Sequence, residues 1–297
     1  MDSKQALNWQ IKGHDKQREL LELAMRNNKL AHAYVFTGPQ QIGKKTIGRR
    51  LAQFLLCEID SACDSCINCK TLTAGSNADY IEISSDETIK IENIRNLSYK
   101  LSLKAYSGKY KVALIDNAHN MTIETSNALL KVLEEPKPDT LIILITDNAN
   151  RLLPTINSRV QKINFGPLDD KEFSQWLSEF KLDEPDPSFA GRPGYVISLS
   201  QDEQASSQNK ANSSYFQNFI SGSLGQKLVM VSELAEQETP DLKVLLNHWL
   251  HHLENRLRQN PDGNLIQKIK GLMKAQRLLE QNVNSKLLLS ELMVTTN

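Results

Sequence analysis

Short apolar runs alternate with longer amphipathic stretches over the first 165 residues of the chain. The runs are four to six residues long, which is typical of strands, and they lie at 33–36, 80–83, 111–115, 141–145 and 160–165. Helical patterns precede and separate them at 15–30, 44–57, 90–102 and 121–135. Strands that alternate with helices predict a parallel sheet covered on both faces, with the runs at 111 and 141 in its centre.

Strand patterns stop after residue 165. Short helical stretches at 168–203 predict a small lid, and a segment rich in Ser, Gln and Asn at 201–214 predicts a linker. Further helical patterns follow at 228–237, 241–259, 265–281 and 286–293. The chain is therefore predicted to contain an α/β core at 1–166, a helical lid at 167–204 and an all-helical domain at 205–297.

Composition narrows the functional classes. Lys plus Arg and Asp plus Glu number 35 each among 297 residues, so the chain lacks the overall basic charge of an autonomous nucleic-acid binder. No apolar signal core follows Met1, and the run at 141–145 is far too short to span a bilayer. We expect a cytoplasmic protein that does not associate with membranes.

A degenerate phosphate-binding loop follows the first apolar run. Such a loop needs glycines whose backbone amides face phosphate oxygens, a lysine for the outer phosphates and a Ser or Thr for magnesium. Gly38, Gly43 and Lys44 meet the first two needs. Lys45 stands where the magnesium ligand belongs, and Thr46 comes one residue late. Two interpretations stay open: the loop still binds ATP or ADP, or it is vestigial and only joins a strand to a helix.

The run at 111–115 resembles a Walker B strand. Asp116 occupies the position of the acid that holds the metal, whereas Asn117 stands where a second acid would activate water. A neutral amide cannot act as a general base, so we predict negligible ATP hydrolysis by this chain. Asp116 is then either the remnant of a metal site or a strand-terminal residue with a capping role.

All four cysteines lie within thirteen residues, as Cys57, Cys63, Cys66 and Cys69. Disulfides are disfavoured in a reducing compartment, whereas this spacing can place four thiolates around a tetrahedral ion. The segment is too polar to form a core of its own, which argues against four unliganded thiols. The pattern predicts one structural zinc ion (Zn²⁺) with no open position for catalysis.

A polar turn before the last apolar run presents Arg159 after Ser158. An arginine in a turn is usually solvated, but a guanidinium that reaches the ATP of a neighbouring subunit stabilises charge in the transition state. An intact arginine in a chain with a damaged phosphate loop favours a subunit that serves a neighbour's ATP site.

Together with the segments at 30–39 and 127–136, these motifs resemble the bacterial clamp-loader subunits of the AAA+ superfamily. The resemblance carries specific motifs up to about residue 200 and rests on length and helicity beyond it. It implies an AAA+ core with a zinc-binding insertion at 57–69, a helical lid and a C-terminal collar domain. It also implies a hetero-pentamer with gamma/tau-like and delta-like subunits, which loads the sliding clamp onto primer-template DNA for DNA polymerase III.

The resemblance further assigns roles to single residues. Thr146 occupies the family's sensor position, and Gly194 stands where a lid arginine would sense nucleotide. Arg159 would act in trans as an arginine finger for the neighbouring motor subunit. Lys131 lies on a helix that could approach DNA. The chain itself would be a stator of the polymerase holoenzyme, without ATPase or polymerase activity of its own.

Two alternatives come from other functional classes. An active motor ATPase would need a Ser or Thr after Lys44 and an acid after Asp116, and both are missing. A zinc-stabilised adaptor without a role at DNA would leave Arg159 with no function.

Overall fold

The computed structural model describes residues 7, 9–106, 109–180, 182, 189–201, 203–235, 239–279 and 283–295. The chain divides into two compact units, Met1–Glu172 and Phe173–Asn297. The strands are β1 (Ala33–Thr37), β2 (Tyr80–Ser84), β3 (Lys111–Asp116), β4 (Thr140–Thr146) and β5 (Gln161–Asn164). The helices are α1 (Asp15–Arg26), α2 (Lys44–Leu56), α3 (Ile67–Thr73), α4 (Ile91–Ser102), α5 (Ile123–Glu134), α6 (Pro154–Asn157), α7 (Asp170–Phe180), α8 (Pro193–Gln201), α9 (Glu203–Ser221), α10 (Leu224–Leu234), α11 (Thr239–Gln259), α12 (Gly263–Leu279) and α13 (Ser285–Thr295).

The five strands form one parallel sheet in the order β2-β3-β4-β1-β5. β3 and β4 are interior strands, and the side chains of β4 are all buried. A strand that is buried on both faces favours apolar residues on both, which explains the continuous apolar run at 141–145 between the two terminal threonines. The predicted α/β class, with a parallel sheet and central strands at 111 and 141, is confirmed.

Alternate side chains of each strand enter different cores because successive residues point to opposite faces of a sheet. Leu114 and Ile143 pack with α2 on one face, through Ile47 among others. Ala113 and Ile142 pack on the other face with α4 and α5. The helices packed on the two faces of the sheet therefore fix the positions of the strand ends from which the loops start.

The described part of the second unit contains helices joined by short loops, and no strand. Its core includes Phe219 and Trp249, whose rings stack with centroids 4.7 Å apart. Arg192, from the predicted lid segment, is 3% exposed and pairs with Glu254 of α11 at 3.2 Å. The division of this region into a lid and a collar stays a prediction.

The structure differs from the sequence analysis at the proposed linker. Residues 203–221 form the helix α9, so the prediction of a linker at 201–214 is wrong. Polar residues such as Gln, Lys and Glu are compatible with a helix, and the polar composition concealed a helix that buries Phe216 and Phe219 near its end. Gln237 and Gln281, at two predicted helix ends, lie outside the described residues.

Among the residues that the structure describes, no helix combines the length and the apolar character needed to cross a bilayer.

Gly38 occupies a position that only glycine fits. Its φ is +145°, and a Cβ there would lie 2.1 Å from the carbonyl oxygen of Phe165. We expect Gly38→Ala to lower the free energy of unfolding by about 3 kcal/mol, because the added atom strains the backbone and displaces β5. Urea unfolding followed by circular dichroism measures this change.

Gly166→Ala is the matched control, because a Cβ at Gly166 meets no atom within 4 Å. Its stability should stay within about 0.5 kcal/mol of the unchanged chain. Equal stabilities of the two variants would show that the loop moves away from Phe165 without cost.

Candidate functional site

The carboxyl ends of β1, β3 and β4 meet at one edge of the sheet. Gly38 follows β1, while Asp116 and Thr146 end β3 and β4. The amide of Gly38 donates to the carbonyl oxygen of Thr146 at 3.3 Å, so these two segments are in direct contact. The predicted residues of the nucleotide site are thus brought together by the parallel topology.

Lys44 turns back onto its own loop. Its ammonium donates to the carbonyl oxygen of Gly38 at 2.6 Å and to that of Pro39 at 2.5 Å, and the residue is 6% exposed. Gly43, at φ +98°, provides the left-handed turn that starts α2. The loop therefore supplies hydrogen-bond acceptors to the lysine that a nucleotide's outer phosphates would otherwise engage.

Lys45 lies between two carboxylates at the position of the missing magnesium ligand. Its ammonium is 3.2 Å from Asp116 Oδ2 and 3.0 Å from Glu82 Oε1, and it donates to Ser84 Oγ at 3.2 Å. Thr46 is exposed, and no contact between Thr46 and Asp116 occurs in the described part of the chain. A fixed positive charge thus neutralises Asp116, the acid at the Walker B position, together with Glu82 of β2.

Glu82 collects three donors on the edge strand β2. Arg49 donates to both of its carboxylate oxygens, at 2.6 and 2.8 Å, and the Tyr80 hydroxyl donates at 2.6 Å. Burial by itself would raise the pKa of Glu82, but the hydrogen bonds from Arg49, Tyr80 and Lys45 hold it at about 2. This carboxylate is therefore charged at neutral pH and remains a firm partner for Lys45.

The sequence analysis missed Glu82 and Ser84 as members of this site. They lie far from Lys45 along the chain and reach it because β2 pairs with β3, with Ser84 opposite Asp116. The glutamate inside the predicted strand at 80–83 was the available signal, because a charged residue in a short apolar run requires a partner.

Asn117 faces away from the loop. Its backbone is left-handed, with φ +51°, and its side-chain amide donates to Asp86 Oδ1 at 2.9 Å. The Asp116 carboxylate accepts a hydrogen bond from the backbone amide of Asn117 at 3.0 Å, and the turn that starts at Ala118 has no side-chain cap. Asp116 thus both terminates its strand and pairs with Lys45.

Thr146 is buried, with 1% exposure, in a small polar network. Its hydroxyl lies 3.2 Å from His119 Nδ1 and donates to the carbonyl oxygen of Asn148 at 3.1 Å. Burial lowers the pKa of His119, so the imidazole is neutral at neutral pH. His119 received no role in the sequence analysis, since a lone histidine in a turn carries no specific signal.

Arg159 projects from the turn after α6, with 36% of its side chain exposed. Its Nη1 donates to the carbonyl oxygen of Thr155 at 2.9 Å and to Ser158 Oγ at 3.2 Å. Its Nη2 lies 2.9 Å from Glu134 Oε1, at the end of α5. One end of the guanidinium is therefore oriented by its own turn, while the group remains accessible to solvent.

Two further residues from the sequence analysis lie elsewhere. Lys131 is exposed on α5 and lines a groove of about 540 Å³ between α4 and α5. Side chains of both charges line the groove: Arg95, Lys131, Lys137, Glu124 and Glu135. Gly194 lies in the first turn of α8, in the second unit.

The four cysteines form one cluster. The sulfur atoms of Cys57, Cys63, Cys66 and Cys69 all lie within 4.8 Å of one another. Zinc–sulfur bonds of about 2.3 Å in a tetrahedron place sulfurs roughly 3.8 Å apart, so a small contraction suits the ion. The amides of Cys66 and Cys69 donate to the sulfurs of Cys63 and Cys66, at 3.3 and 3.4 Å. These bonds stabilise thiolates, and this donor set fits zinc.

The local environment shifts the pKa values of two of the thiols in opposite directions. Hydrogen bonds from the side chain and backbone of Ser65, and then from the Cys66 amide, lower the pKa of Cys63 to about 6. Burial raises the pKa of Cys69. A cation among the four sulfurs would overcome the cost of ionising the buried thiol, because a coordinating thiol is deprotonated by the metal.

The cysteine segment is anchored to the phosphate-loop helix. Arg50 of α2 donates to both oxygens of Asp64, at 2.8 and 2.9 Å, and Gln53 donates to the same carboxylate at 3.2 Å. The segment therefore packs on the face of α2 through polar contacts, in addition to the buried Leu72 of α3.

The sequence matches a protein family model. The model is described as "DNA polymerase III, delta subunit" and matches residues 13–169, more than half of the chain. The chain belongs to this family. The resemblance proposed from the motifs is confirmed.

Named relatives carry two different subunit names. The delta' subunit of DNA polymerase III from Pseudomonas aeruginosa is 39% identical over 163 residues, covering 52% of this chain and 49% of the relative. The delta' subunit from Bacillus subtilis is 37% identical over 164 residues, covering 54% and 50%. The tau/gamma subunit from Haemophilus influenzae is 36% identical over 163 residues, covering 54% and 24%. The chain thus spans at most about half the length of these relatives.

A solved structure supports the fold alone. A gamma subunit-related protein of DNA polymerase III from Thermotoga maritima superposes with a TM-score of 0.51 at 19% identity, covering 93% of this chain and 98% of that one.

The cysteine cluster predicts about one zinc ion per chain. Cys66→Ser should lose the ion and destabilise the segment around α3, because it removes one of the four sulfur ligands while the serine hydroxyl can still cap that helix. Elemental analysis of protein purified under reducing conditions measures the metal.

Ser61→Ala is the control, since Ser61 is an exposed residue of the same segment whose side chain is not a candidate ligand. Metal-free protein with all four thiols reactive toward a thiol reagent would contradict the zinc prediction.

Proposed function

We propose that the chain is a delta-prime-like stator of the clamp loader of the DNA polymerase III holoenzyme. In this function it helps to load the sliding clamp onto primed DNA and lends Arg159 to the ATP site of a neighbouring gamma/tau-like subunit. The family match and the relatives named as DNA polymerase III subunits support this proposal.

One observation favours a stator over a motor subunit. The relatives named delta' and tau/gamma have similar identities to this chain, so identity alone does not separate them. The ammonium of Lys45 is paired with Asp116, the residue at the position of the acid that holds the metal. Lys45 cannot ligate magnesium, and its charge repels a second cation at the same carboxylate, which argues against a motor ATPase.

Arg159 supports the second part of the proposal. Its guanidinium is exposed but oriented by the turn after α6, which is the arrangement that a group acting on another subunit needs. Preorganised donors aimed at developing charge stabilise a phosphoryl-transfer transition state more than mobile ones do. A zinc-stabilised adaptor would have no use for this geometry.

The proposal includes the finer assignments of the sequence analysis. The first unit is an AAA+ core, Cys57–Cys69 hold a structural zinc ion, and residues 205–297 form a collar that joins a hetero-pentamer with gamma/tau-like and delta-like subunits. Zinc would be held by the four thiolates and would order the segment anchored to α2 by Arg50 and Asp64. The proposal does not include nucleotide binding by the loop, because Lys44 already donates to the loop carbonyls.

We expect no measurable ATP hydrolysis by the isolated chain. The acid next to Asp116 is replaced by Asn117, and Lys45 blocks the metal position. Lys45→Thr alone should not create activity, because the amide at 117 still cannot activate water. Phosphate release in the presence of magnesium and ATP measures this. A turnover of order one per second that Lys44→Ala abolishes would instead identify a motor subunit.

We expect Arg159→Ala to slow DNA-stimulated ATP hydrolysis by the reconstituted complex by about a thousandfold at the neighbouring site, because transition-state charge there loses its donor. Arg159→Lys should rescue poorly, since an ammonium lacks the planar donor pair that matches phosphate oxygens. Stability should change by less than about 1 kcal/mol, because the ion pair with Glu134 is largely exposed.

Arg151→Ala is the matched control, because Arg151 is a similarly exposed arginine, paired with Asp147, in the preceding segment. A complex that contains Arg159→Ala, assembles normally and loads clamps at the normal rate would refute the finger.

A further inference from the structure

The helix α4 and the residues that follow it are rich in positive charge, although the chain is neutral as a whole. Between Glu92 and Asp116 the sequence contains five cations and no acid. Four of these cations are exposed on α4 and the loop that follows it: Arg95, Lys100, Lys104 and Lys109. None of the four forms an ion pair with a carboxylate among the described residues, whereas Lys111 pairs with the buried Asp79 at 3.2 Å.

Aromatic side chains are exposed within the same stretch. Tyr99 is 66% exposed on α4 and Tyr106 is 87% exposed in the loop, with Leu103 at 48% between them. The inner side of α4 buries Ile94 and Leu97, so Tyr99 and Arg95, four residues apart, lie on its outer side. Aromatic rings and unpaired cations therefore alternate along one solvent-facing segment.

The backbone of Tyr106 is held in place although its ring is in solvent. The backbone amide of Tyr106 donates to both oxygens of Asp79, at 2.8 and 2.9 Å. Asp79 is fully buried at the start of β2 and also pairs with Lys111 at the start of β3. An anchored backbone presents the ring at little further entropic cost when a ligand binds.

We propose that this surface, the α4 surface (Arg95, Tyr99, Lys100, Lys104, Tyr106 and Lys109), binds single-stranded nucleic acid. Cations neutralise the phosphates, while exposed rings stack with bases, a combination that binds single strands without sequence preference. Stacking requires bases that are not already paired, so a single strand binds more tightly than a duplex of the same length.

A protein partner is the less suitable occupant. Protein interfaces are depleted in lysine relative to the rest of the surface, and this surface carries three lysines among its six residues. It shares only Arg95 with the groove at Lys131, where Glu124 and Glu135 offset the cations. From Tyr99 to Lys109 the α4 surface combines exposed basic and aromatic side chains, and the sequence has no acid there.

The inference deepens the proposed function, because a clamp-loader subunit works at primed DNA, but it is tested on the isolated full chain. Fluorescence anisotropy with labelled oligothymidylate of about 20 nucleotides is measured between about 25 and 150 mM salt, beside a duplex of equal length. We expect micromolar binding to the single strand. The logarithm of affinity should fall with the logarithm of salt with a slope of about −2.8, or roughly −0.7 for each of four cations.

Substitutions at Lys104 and Tyr106 test separately how the charge and the aromatic ring contribute to binding. Lys104→Gln should reduce the steepness of that slope by about 0.7, because one phosphate contact is lost. Tyr106→Leu should weaken binding about tenfold with an unchanged slope, whereas Tyr106→Phe, which keeps the ring, should bind like the unchanged chain. The controls are Lys270→Gln and Phe180→Leu, an exposed lysine and an exposed aromatic residue elsewhere, and neither should alter binding.

Three results would overturn the proposal. One is the absence of single-strand binding at low salt, and another is an equal loss with the control variants. The third is unchanged oligonucleotide binding by Tyr106→Leu together with weaker assembly of the clamp-loader complex, which would identify a protein interface. None of these results bears on Arg159, whose test is ATP hydrolysis in the assembled complex, so the stator proposal and the α4 surface fail separately.

Discussion

Because all five strands of the sheet run parallel, the residues that follow β1, β3 and β4 meet at a single edge. Every feature of the nucleotide-like site depends on this constraint. Gly38, Asp116 and Thr146 are distant in sequence, yet the amide of Gly38 reaches the carbonyl oxygen of Thr146. Gly38 also passes so close to the Phe165 carbonyl that no side chain fits there. The sheet thus preserves the geometry of a phosphate loop whatever chemistry the loop retains.

Electrostatics at that edge changes what the loop can do. Two carboxylates close together repel each other unless a cation lies between them. In a P-loop enzyme the cation beside the acid at the end of this strand is magnesium, which binds with the nucleotide. Here the ammonium of Lys45 is a permanent part of the chain, paired with Glu82 and Asp116. Asp116 and Glu82 are therefore paired with a cation of the chain itself, without any ligand.

The cysteine segment shows how a polar insertion is held without a large core. Arg50 and Asp64 connect it to α2, and Leu72 of α3 joins the main core. The four sulfurs converge to within 4.8 Å, with backbone amides donating to two of them. A metal ion at that point would add the cross-link that these few contacts do not provide. Because α2 carries both this segment and the phosphate loop, ordering one supports the other.

Local signals in the sequence were sufficient for the order of strands and helices, the phosphate loop and the clustering of the cysteines, because each depends on residues close together in the chain. Contacts between distant segments were decided only by the tertiary structure. Glu82 meets Lys45 because β2 pairs with β3, and Arg159 meets Glu134 because α5 and α6 pack together. Composition also led to a wrong prediction at 203–221. The helix there is polar enough to resemble a linker, and its few apolar residues become buried only in the folded chain. Pairing and packing are properties of the folded chain, and a linear pattern does not contain them.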